Sequence, residues 1–95
     1  MRISCSIRFL PLKTNGKDEI YKLVDEAIAV IAKSGLKYLV GPSETTVEGE
    51  FSDLLDLIKR IYNEMTPLCE RYVLEVVFDC ARDGVTIDEK IAKYR

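Results

Sequence analysis

The fold is decided by residues 36–50, which read LKYLVGPSETTVEGE. Residues 36–40 form a short apolar run, residues 41–44 are typical of a turn, and the β-branched residues that follow favour a strand over residues 45–50. The short separation of these two strands predicts an antiparallel hairpin. Its hydroxyls, carboxylates and glycines lie at one end of the predicted sheet, which suits holding a small polar molecule better than bond chemistry.

A strand and a helix are predicted before the hairpin. Apolar and polar residues alternate over residues 2–9, which is the period of a half-buried strand. Pro11 and residues 13–16 break this run, and Asp18 can cap a helix with one apolar face. Gly35 is expected to end that helix in a left-handed conformation.

A second helix and a fourth strand are predicted after the hairpin. The helix begins near Phe51 with Ser52 close to its N-cap, and Pro67 ends it. Its expected apolar stripe comprises Phe51, Leu54, Leu55, Ile58, Ile61, Tyr62 and Met65. Residues 71–79 are strongly β-prone, and residues 86–89 form a capping box before a short final helix.

This order of elements, β-α-β-β-α-β with a tail helix, is typical of the split βαβ or ferredoxin-like α+β fold. We expect one domain over residues 1–95, because a chain of this length supports a single two-layer core. The predicted antiparallel sheet has the order 4-1-3-2, with helices on one face and the other face open.

The composition argues against several functions. The net charge is −2, histidine is absent, and no apolar run is long enough to span a membrane. We expect neither nucleic acid nor membrane as partner, because both normally bind basic stripes. We also expect no catalytic residue and no cofactor, because no nucleophile context or phosphate loop is recognisable. No signal-peptide pattern opens the chain, so we expect a cytoplasmic location.

Neither the cysteines nor the carboxylates predict a metal site. The three cysteines are Cys5, Cys69 and Cys80. Their odd number and spacing predict neither a disulfide framework nor a zinc cluster, so we interpret them as small apolar residues. A redox role for an exposed Cys69 or Cys80 stays open. Glu44, Glu48 and Glu50 lack the dense oxygen spacing of a calcium loop.

Successive residues of a strand point to opposite faces of the sheet, so the residues of the hairpin are divided between the two faces. If Val47 faces the core, Thr45 lies on the helix side, near the far end of the first strand. A flat ligand could enter between the turn, the loop at residues 11–17 and the first helix. Hydrogen bonds would come from Ser43, Glu44 and Thr45, and apolar contact from Leu10 and Leu12. Alternatively, Thr45 is only a strand former bonded to its own turn.

The open face carries a second group of polar residues. Its expected members are Ser6, Arg8, Thr46, Glu48 and Glu75. Cross-strand ion pairs explain this group structurally. A face that also carries Leu39, Val73 and Val77 could instead stack on another subunit, so we expect a homodimer or homotetramer formed through the sheet.

Five segments of the chain resemble a known family. They are residues 10–12, 34–38, 41–42 with 45–50, Asp79, and 82–83. In these the chain resembles the small thiamine-binding proteins of ferredoxin-like fold. The resemblance implies binding of thiamine or its hydroxymethylpyrimidine portion, with no known reaction, in a multimer of stacked sheets.

The same resemblance implies particular site residues. The family's pocket residues at the start of the third strand correspond to Glu44 and Thr45. An aminopyrimidine could pair with the Glu44 carboxylate and the Thr45 hydroxyl and pack on apolar side chains. The ligand-binding residues predicted on this basis are Ser43, Glu44, Thr45, Thr46, Phe9, Leu12 and Tyr38.

Other functions on the same fold are weighed against this one. A regulatory module that binds amino acids or another metabolite at a subunit interface is the main alternative. An acylphosphatase-like enzyme is disfavoured because no phosphate-binding arginine loop follows the first strand. RNA binding is disfavoured by the charge and by the lack of paired aromatic residues on the central strands.

Overall fold

The computed structural model describes residues 1–95 and has the predicted order of elements. They are β1 (Ile3–Pro11), α1 (Lys17–Lys33), β2 (Lys37–Val40), β3 (Thr45–Gly49), α2 (Phe51–Met65), β4 (Tyr72–Asp79) and α3 (Ile87–Ile91). All neighbouring strands are antiparallel in one sheet of order β2-β3-β1-β4. The predicted ferredoxin-like fold and strand order are therefore confirmed. None of the helices is both long and apolar enough to cross a membrane.

The central strand β1 supplies the middle of the core. Cys5 lies opposite Val47 of β3 and Phe78 of β4, and both Cys5 and Val47 are buried. Burial raises the pKa of the Cys5 thiol to about 11, so this thiol stays protonated near neutral pH. Cys69 is also buried, with its thiol donating to the Arg71 carbonyl at 3.4 Å, which agrees with its interpretation as a small apolar residue and not with the alternative of an exposed thiol. Only Cys80 is exposed.

The helix ends follow backbone geometry more than side-chain capping. Helix α1 starts after Gly16, whose φ of 127° disfavours other residues, so the prediction of Asp18 as the cap is wrong. Glu50 rather than Ser52 precedes α2. Gly35 does adopt the predicted left-handed conformation, with φ 78°. The capping threonine of α3, Thr86, accepts a hydrogen bond from the Glu89 amide at 3.2 Å, also as predicted.

The apolar stripe of α2 divides into a buried and an exposed row. The buried row is Leu54, Leu57, Ile61 and Met65, of which Leu57 was missing from the prediction. Phe51, Leu55 and Tyr62, predicted to lie on the same stripe, are 52%, 38% and 58% exposed. The apolar sector of α2 is wider than the surface that the sheet and α1 cover. One row of large apolar side chains therefore remains on the outside.

The face of the sheet opposite the helices is covered at one end by the tail. Val85 donates its amide to the Arg2 carbonyl at 2.8 Å, and Val85 and Ile87 are both buried. Glu48 points to this face, as parity predicted, but the tail lies over it and leaves only 4% of the residue exposed. The expectation that Glu48 belongs to an open surface is therefore wrong.

Glu48 lies apart from the other residues of the predicted polar group. Its partner in β1 is Ser4, whereas Ser6 lies opposite Thr46. Arg8 lies opposite Glu75 and approaches its carboxylate to 3.2 Å, in a pair that is about half exposed. The polar face thus consists of a buried carboxylate under the tail and an exposed ion pair near the other end.

Candidate functional site

A groove with a volume of about 400 Å³ lies on the helix side of the sheet. It is bounded by residues 7–11 of β1, by residues 20–31 on one side of α1, and by residues 41–45 of the β2–β3 turn. We call it the hairpin groove. The helix and the turn that the sequence predicted as neighbours meet here, whereas of the predicted loop at residues 11–17 only Pro11 lines the groove.

Thr45 is the polar residue of the groove that is most buried. It lies opposite Ile7 in β1 and Val40 in β2, and it is only 4% exposed. The side-chain hydrogen bonds of the protein all involve other residues. The Thr45 hydroxyl is therefore able both to donate and to accept a hydrogen bond. Because the groove walls beside it are apolar, a polar group on a bound molecule would be a favourable partner for this hydroxyl.

The β2–β3 turn forms the polar mouth of the groove. The Gly41 amide donates to the Glu44 carbonyl at 2.8 Å and closes the turn. A Cβ on Gly41 would lie 2.9 Å from the same oxygen, so the turn depends on glycine at this position. This closure places the exposed residues Ser43 and Glu44 at the entrance.

Replacing Gly41 by alanine is expected to open this turn. The added methyl group would push the Glu44 carbonyl away and weaken the closing hydrogen bond, at a cost of about 1–2 kcal/mol in the free energy of unfolding. Urea denaturation measures this loss. The matched control is Gly49→Ala, because the nearest atoms to a Cβ there are side-chain carbons of Leu36 at 3.4 Å and Leu54 at 3.7 Å rather than a backbone oxygen. Equal stability of the Gly41→Ala variant and the parent protein would contradict the proposed role of the turn.

Helix α1 supplies the apolar wall that the sequence did not assign to the site. Ile20, Val24 and Ile28 line the groove and are half-buried, and Tyr21 lines it with 59% of its surface exposed. In the sequence these aliphatic residues belong to the core-facing stripe of the helix. The sequence signal that could have identified them is the width of that stripe. Only Leu23, Ala27, Val30 and Ile31 form its buried row, so the remaining apolar residues are left for the groove.

The groove brings together four of the seven predicted ligand-binding residues. Ser43, Glu44, Thr45 and Phe9 line it, as does Leu10. Leu12, Tyr38 and Thr46 do not. The Leu12 amide bonds to the Arg71 carbonyl at 2.9 Å, which draws Leu12 towards β4 and away from the hairpin.

The other two residues miss the groove because of their positions on the strands. Tyr38 lies opposite Val47, farther along β2 from the turn. Thr46 lies opposite Ser6 and Leu39, on the face of the sheet away from the helices. Strand parity alone therefore separates Thr46 from its neighbour Thr45.

Charges of both signs stand at the rim of the groove. Arg8 and Glu44 border both the groove and a shallow depression on the opposite face, which also includes Ser6 and Glu75. One guanidinium nitrogen of Arg8 pairs with Glu75, while its buried Nε has no hydrogen-bond partner. The groove can therefore hold a flat, largely apolar molecule with a polar edge at Thr45 and a charged group at its mouth.

No group of three or more acidic, cysteine or histidine side chains is arranged to hold a metal ion. The carboxylates of the hairpin are spread apart by the strand. Glu44 lies at the turn, Glu48 under the tail, and Glu50 at the start of α2.

The comparisons with known proteins agree on one family. The family model described as "Thiamine-binding protein" matches residues 5–95. A UPF0045 protein of Clostridium perfringens is 36% identical over 93 residues, which cover 97% of this chain and 98% of that protein.

Two solved structures are similar over at least 90% of their length. A Thermotoga maritima protein, for which a role in thiamine biosynthesis or salvage has been suggested, is 37% identical with a TM-score of 0.93, and all of both chains is covered. A Bacillus cereus domain of unknown function, DUF77, is 36% identical with a TM-score of 0.85, over 99% of this chain and 90% of that one.

Proposed function

The chain belongs to the family of thiamine-binding proteins, and from this we propose that it binds thiamine or its hydroxymethylpyrimidine portion in the hairpin groove without transforming it. The bound molecule would be carried, buffered or sensed. The observation that carries this proposal is the hydroxyl of Thr45, which forms no hydrogen bond within the protein and lies between apolar side chains of β1 and α1 in a groove with a polar mouth.

The chemistry of an aminopyrimidine supports this assignment. Its flat faces are apolar enough to pack between Phe9 and the aliphatic side chains of α1, and its edge carries an amine donor and ring-nitrogen acceptors. The Thr45 hydroxyl can serve either kind of edge group, and the Glu44 carboxylate can accept from the amine. A volume of about 400 Å³ is within the usual range of small-molecule sites.

The thiazolium ring of thiamine adds a positive charge. Glu44 at the mouth would favour such a cation. The absence of histidine from the chain and the protonated state of the buried Cys5 thiol support a binding role rather than acid–base or nucleophilic catalysis.

Replacing Thr45 by valine is expected to weaken binding of thiamine and hydroxymethylpyrimidine about tenfold, because one hydrogen bond to the ligand is lost while the shape of the side chain is kept. Isothermal titration calorimetry measures the affinity of each compound. The matched control is Thr46→Val, which makes the same change on the neighbouring residue of the opposite face and is expected to leave the affinity unchanged. No heat from either compound with the parent protein would refute the proposed ligand. Equal affinity of Thr45→Val and the parent would move the site elsewhere.

We also propose that copies of the chain associate through the sheet into a homodimer or homotetramer. At the end of the polar face that the tail leaves uncovered, Val73 is 41% and Val77 65% exposed. Stacking of this face on a second sheet would bury both. Val77→Lys is the variant that weakens such stacking.

A further inference from the structure

The central strand β1 is longer than the strand β3 beside it. β1 spans Ile3–Pro11, but its pairing with β3 ends where Ile7 lies opposite Thr45, the first residue of β3. On its other side, β1 stays paired with β4 as far as Pro11. Residues 8–11 of β1 therefore border a gap in the plane of the sheet, on the side where β3 would continue. We call this gap the notch.

The backbone groups that face the notch follow from the ladder with β4. In an antiparallel pair, the N–H and C=O of one residue point to the same side of the strand, and successive residues alternate. The Leu12 amide donates to the Arg71 carbonyl at 2.9 Å, so the even-numbered residues of β1 direct these groups to β4. The odd-numbered residues direct theirs to the opposite side. Phe9 therefore presents both an N–H and a C=O to the notch, whereas Pro11 presents only a carbonyl because proline has no N–H.

The backbone N–H and C=O of Phe9 have no partner within the protein. The ladder with β3 stops at Ile7, and neither the backbone hydrogen bonds outside the ladders nor the side-chain hydrogen bonds include Phe9. Phe9 is also only 7% exposed. Unpaired backbone amides in buried residues are rare in folded proteins. This pair of groups therefore indicates a bound molecule that supplies the missing partners.

The notch opens into the hairpin groove. Residues 7–11 line the groove, and Thr45, at the last pair of the ladder, lines it as well. Arg8 and Glu44 border both the groove and the depression on the opposite face, so the notch lies between the two faces of the sheet. A planar molecule in the notch would lie in the plane of the sheet, with one edge towards Phe9 and one face towards α1.

We propose that the backbone N–H and C=O of Phe9 bind the edge of a planar heterocycle, which takes the place of the next residue of β3. This inference rests on the proposed function and adds the kind of edge that the site accepts, namely an acceptor beside a donor. The ring nitrogen of an aminopyrimidine accepts from the Phe9 amide, and the neighbouring amine donates to the Phe9 carbonyl. The amine has a second hydrogen, which stays available to Glu44.

Backbone recognition of this edge has a consequence for specificity. Thiamine and hydroxymethylpyrimidine carry the same amine and the same ring nitrogen, so both satisfy Phe9. A ring without this donor and acceptor would leave the two buried backbone groups unpaired, and sites built to form a hydrogen bond reject such analogues strongly. No side-chain substitution in the groove removes these two groups. The site therefore selects the aminopyrimidine edge and not the group attached to the far side of the ring.

Amide hydrogen exchange, followed by nuclear magnetic resonance with saturating hydroxymethylpyrimidine, tests the pairing at Phe9. The Phe9 amide is expected to exchange at least about tenfold more slowly in the complex, because it gains an acceptor. The Ile7 amide is the control, since Ile7 already pairs with Thr45 in the free protein. Binding that slows exchange at Phe9 no more than at Ile7 would overturn the pairing alone. Absence of binding to the parent protein would overturn the proposed function together with the pairing.

An amide-to-ester replacement at Phe9 tests the same hydrogen bond by affinity. Phenyllactic acid at position 9 removes the N–H and keeps the aromatic ring. The affinity for hydroxymethylpyrimidine in isothermal titration calorimetry is expected to fall about tenfold, because one hydrogen bond to the ligand is lost. The matched control is the ester at Ile7, which removes an amide paired with β3. That control is expected to lose more stability in urea and to keep its affinity. Equal affinity of the Phe9 ester and the parent protein would overturn the proposal.

Discussion

Replacing Glu48 by alanine is expected to lower the free energy of unfolding by about 3 kcal/mol, because it removes a buried carboxylate that accepts from a buried backbone amide and from a half-exposed arginine. The Glu48 carboxylate accepts from the Ile87 amide at 2.7 Å and from Arg2 Nε at 2.8 Å. Without it, the Ile87 amide is buried with no partner and the tail loses its attachment to the sheet. Urea denaturation measures the loss, which is large against the usual stability of about 5–15 kcal/mol.

Glu75→Ala is the control for the Glu48 prediction. Glu75 also pairs with an arginine across strands, but both members of that pair are about half exposed. Its removal is therefore expected to cost less than about 1 kcal/mol. Glu48→Gln should fall between the two, since it keeps the shape and one acceptor oxygen. Equal losses for Glu48→Ala and Glu75→Ala would contradict the role given to the buried carboxylate.

The same carboxylate predicts a dependence of stability on pH. Burial by itself raises the pKa of Glu48. The hydrogen bonds from Ile87 and Arg2, with the charges of Arg2 and Lys37, outweigh burial and hold the pKa below its ordinary value of 4.5. A lowered pKa stabilises the fold above the unfolded-state value and loses this contribution as the pH falls through the folded-state value. The difference in stability between the parent and Glu48→Gln should therefore shrink as the pH falls below about 4.5.

Replacing Val24 by phenylalanine is expected to weaken binding of thiamine and hydroxymethylpyrimidine at least about a hundredfold. Val24 is half-buried on the α1 wall of the hairpin groove, and a larger ring there would occupy the space proposed for the ligand. A hundredfold loss corresponds to about 2.7 kcal/mol of binding free energy. Isothermal titration calorimetry provides the affinities.

Ala32→Phe is the matched control for Val24→Phe. It introduces the same ring on the exposed part of the same helix, outside the groove. Far-ultraviolet circular dichroism and urea denaturation should give near-parent stability for both variants, since neither position is fully buried. Tight binding by Val24→Phe would show that the ligand does not occupy the hairpin groove.

Local sequence patterns were enough to predict the fold. The alternation of apolar and polar residues in β1 indicates which side of that strand is buried. The β-branched residues at the start of β3 predict a strand there, and Val47 and Thr45, being two residues apart, are expected on the same side of it. The burial of Glu48 could not be predicted in this way. It depends on a tail segment 39 residues later in the chain, whose place over the sheet is set by tertiary packing.

The site was predicted in part, for a similar reason. The turn residues Ser43, Glu44 and Thr45 are recognisable because their chemistry and position are local. In the sequence, Val24 cannot be distinguished from an ordinary core residue. The spacing of apolar residues shows which face of a helix is apolar, but not how much of that face the neighbouring elements cover. Leu12 was assigned to the groove by its nearness to the loop, but one hydrogen bond to Arg71 turns it the other way.

The Glu48 network also has a consequence for folding kinetics. Its carboxylate joins Arg2, 46 residues earlier, to Ile87, 39 residues later. Contacts over such separations require most of the chain to be ordered first, because closing long loops costs entropy before the contact forms. We therefore expect the Glu48 substitutions to speed unfolding while leaving the refolding rate nearly unchanged, so that this carboxylate sets the lifetime of the folded state rather than the rate of reaching it.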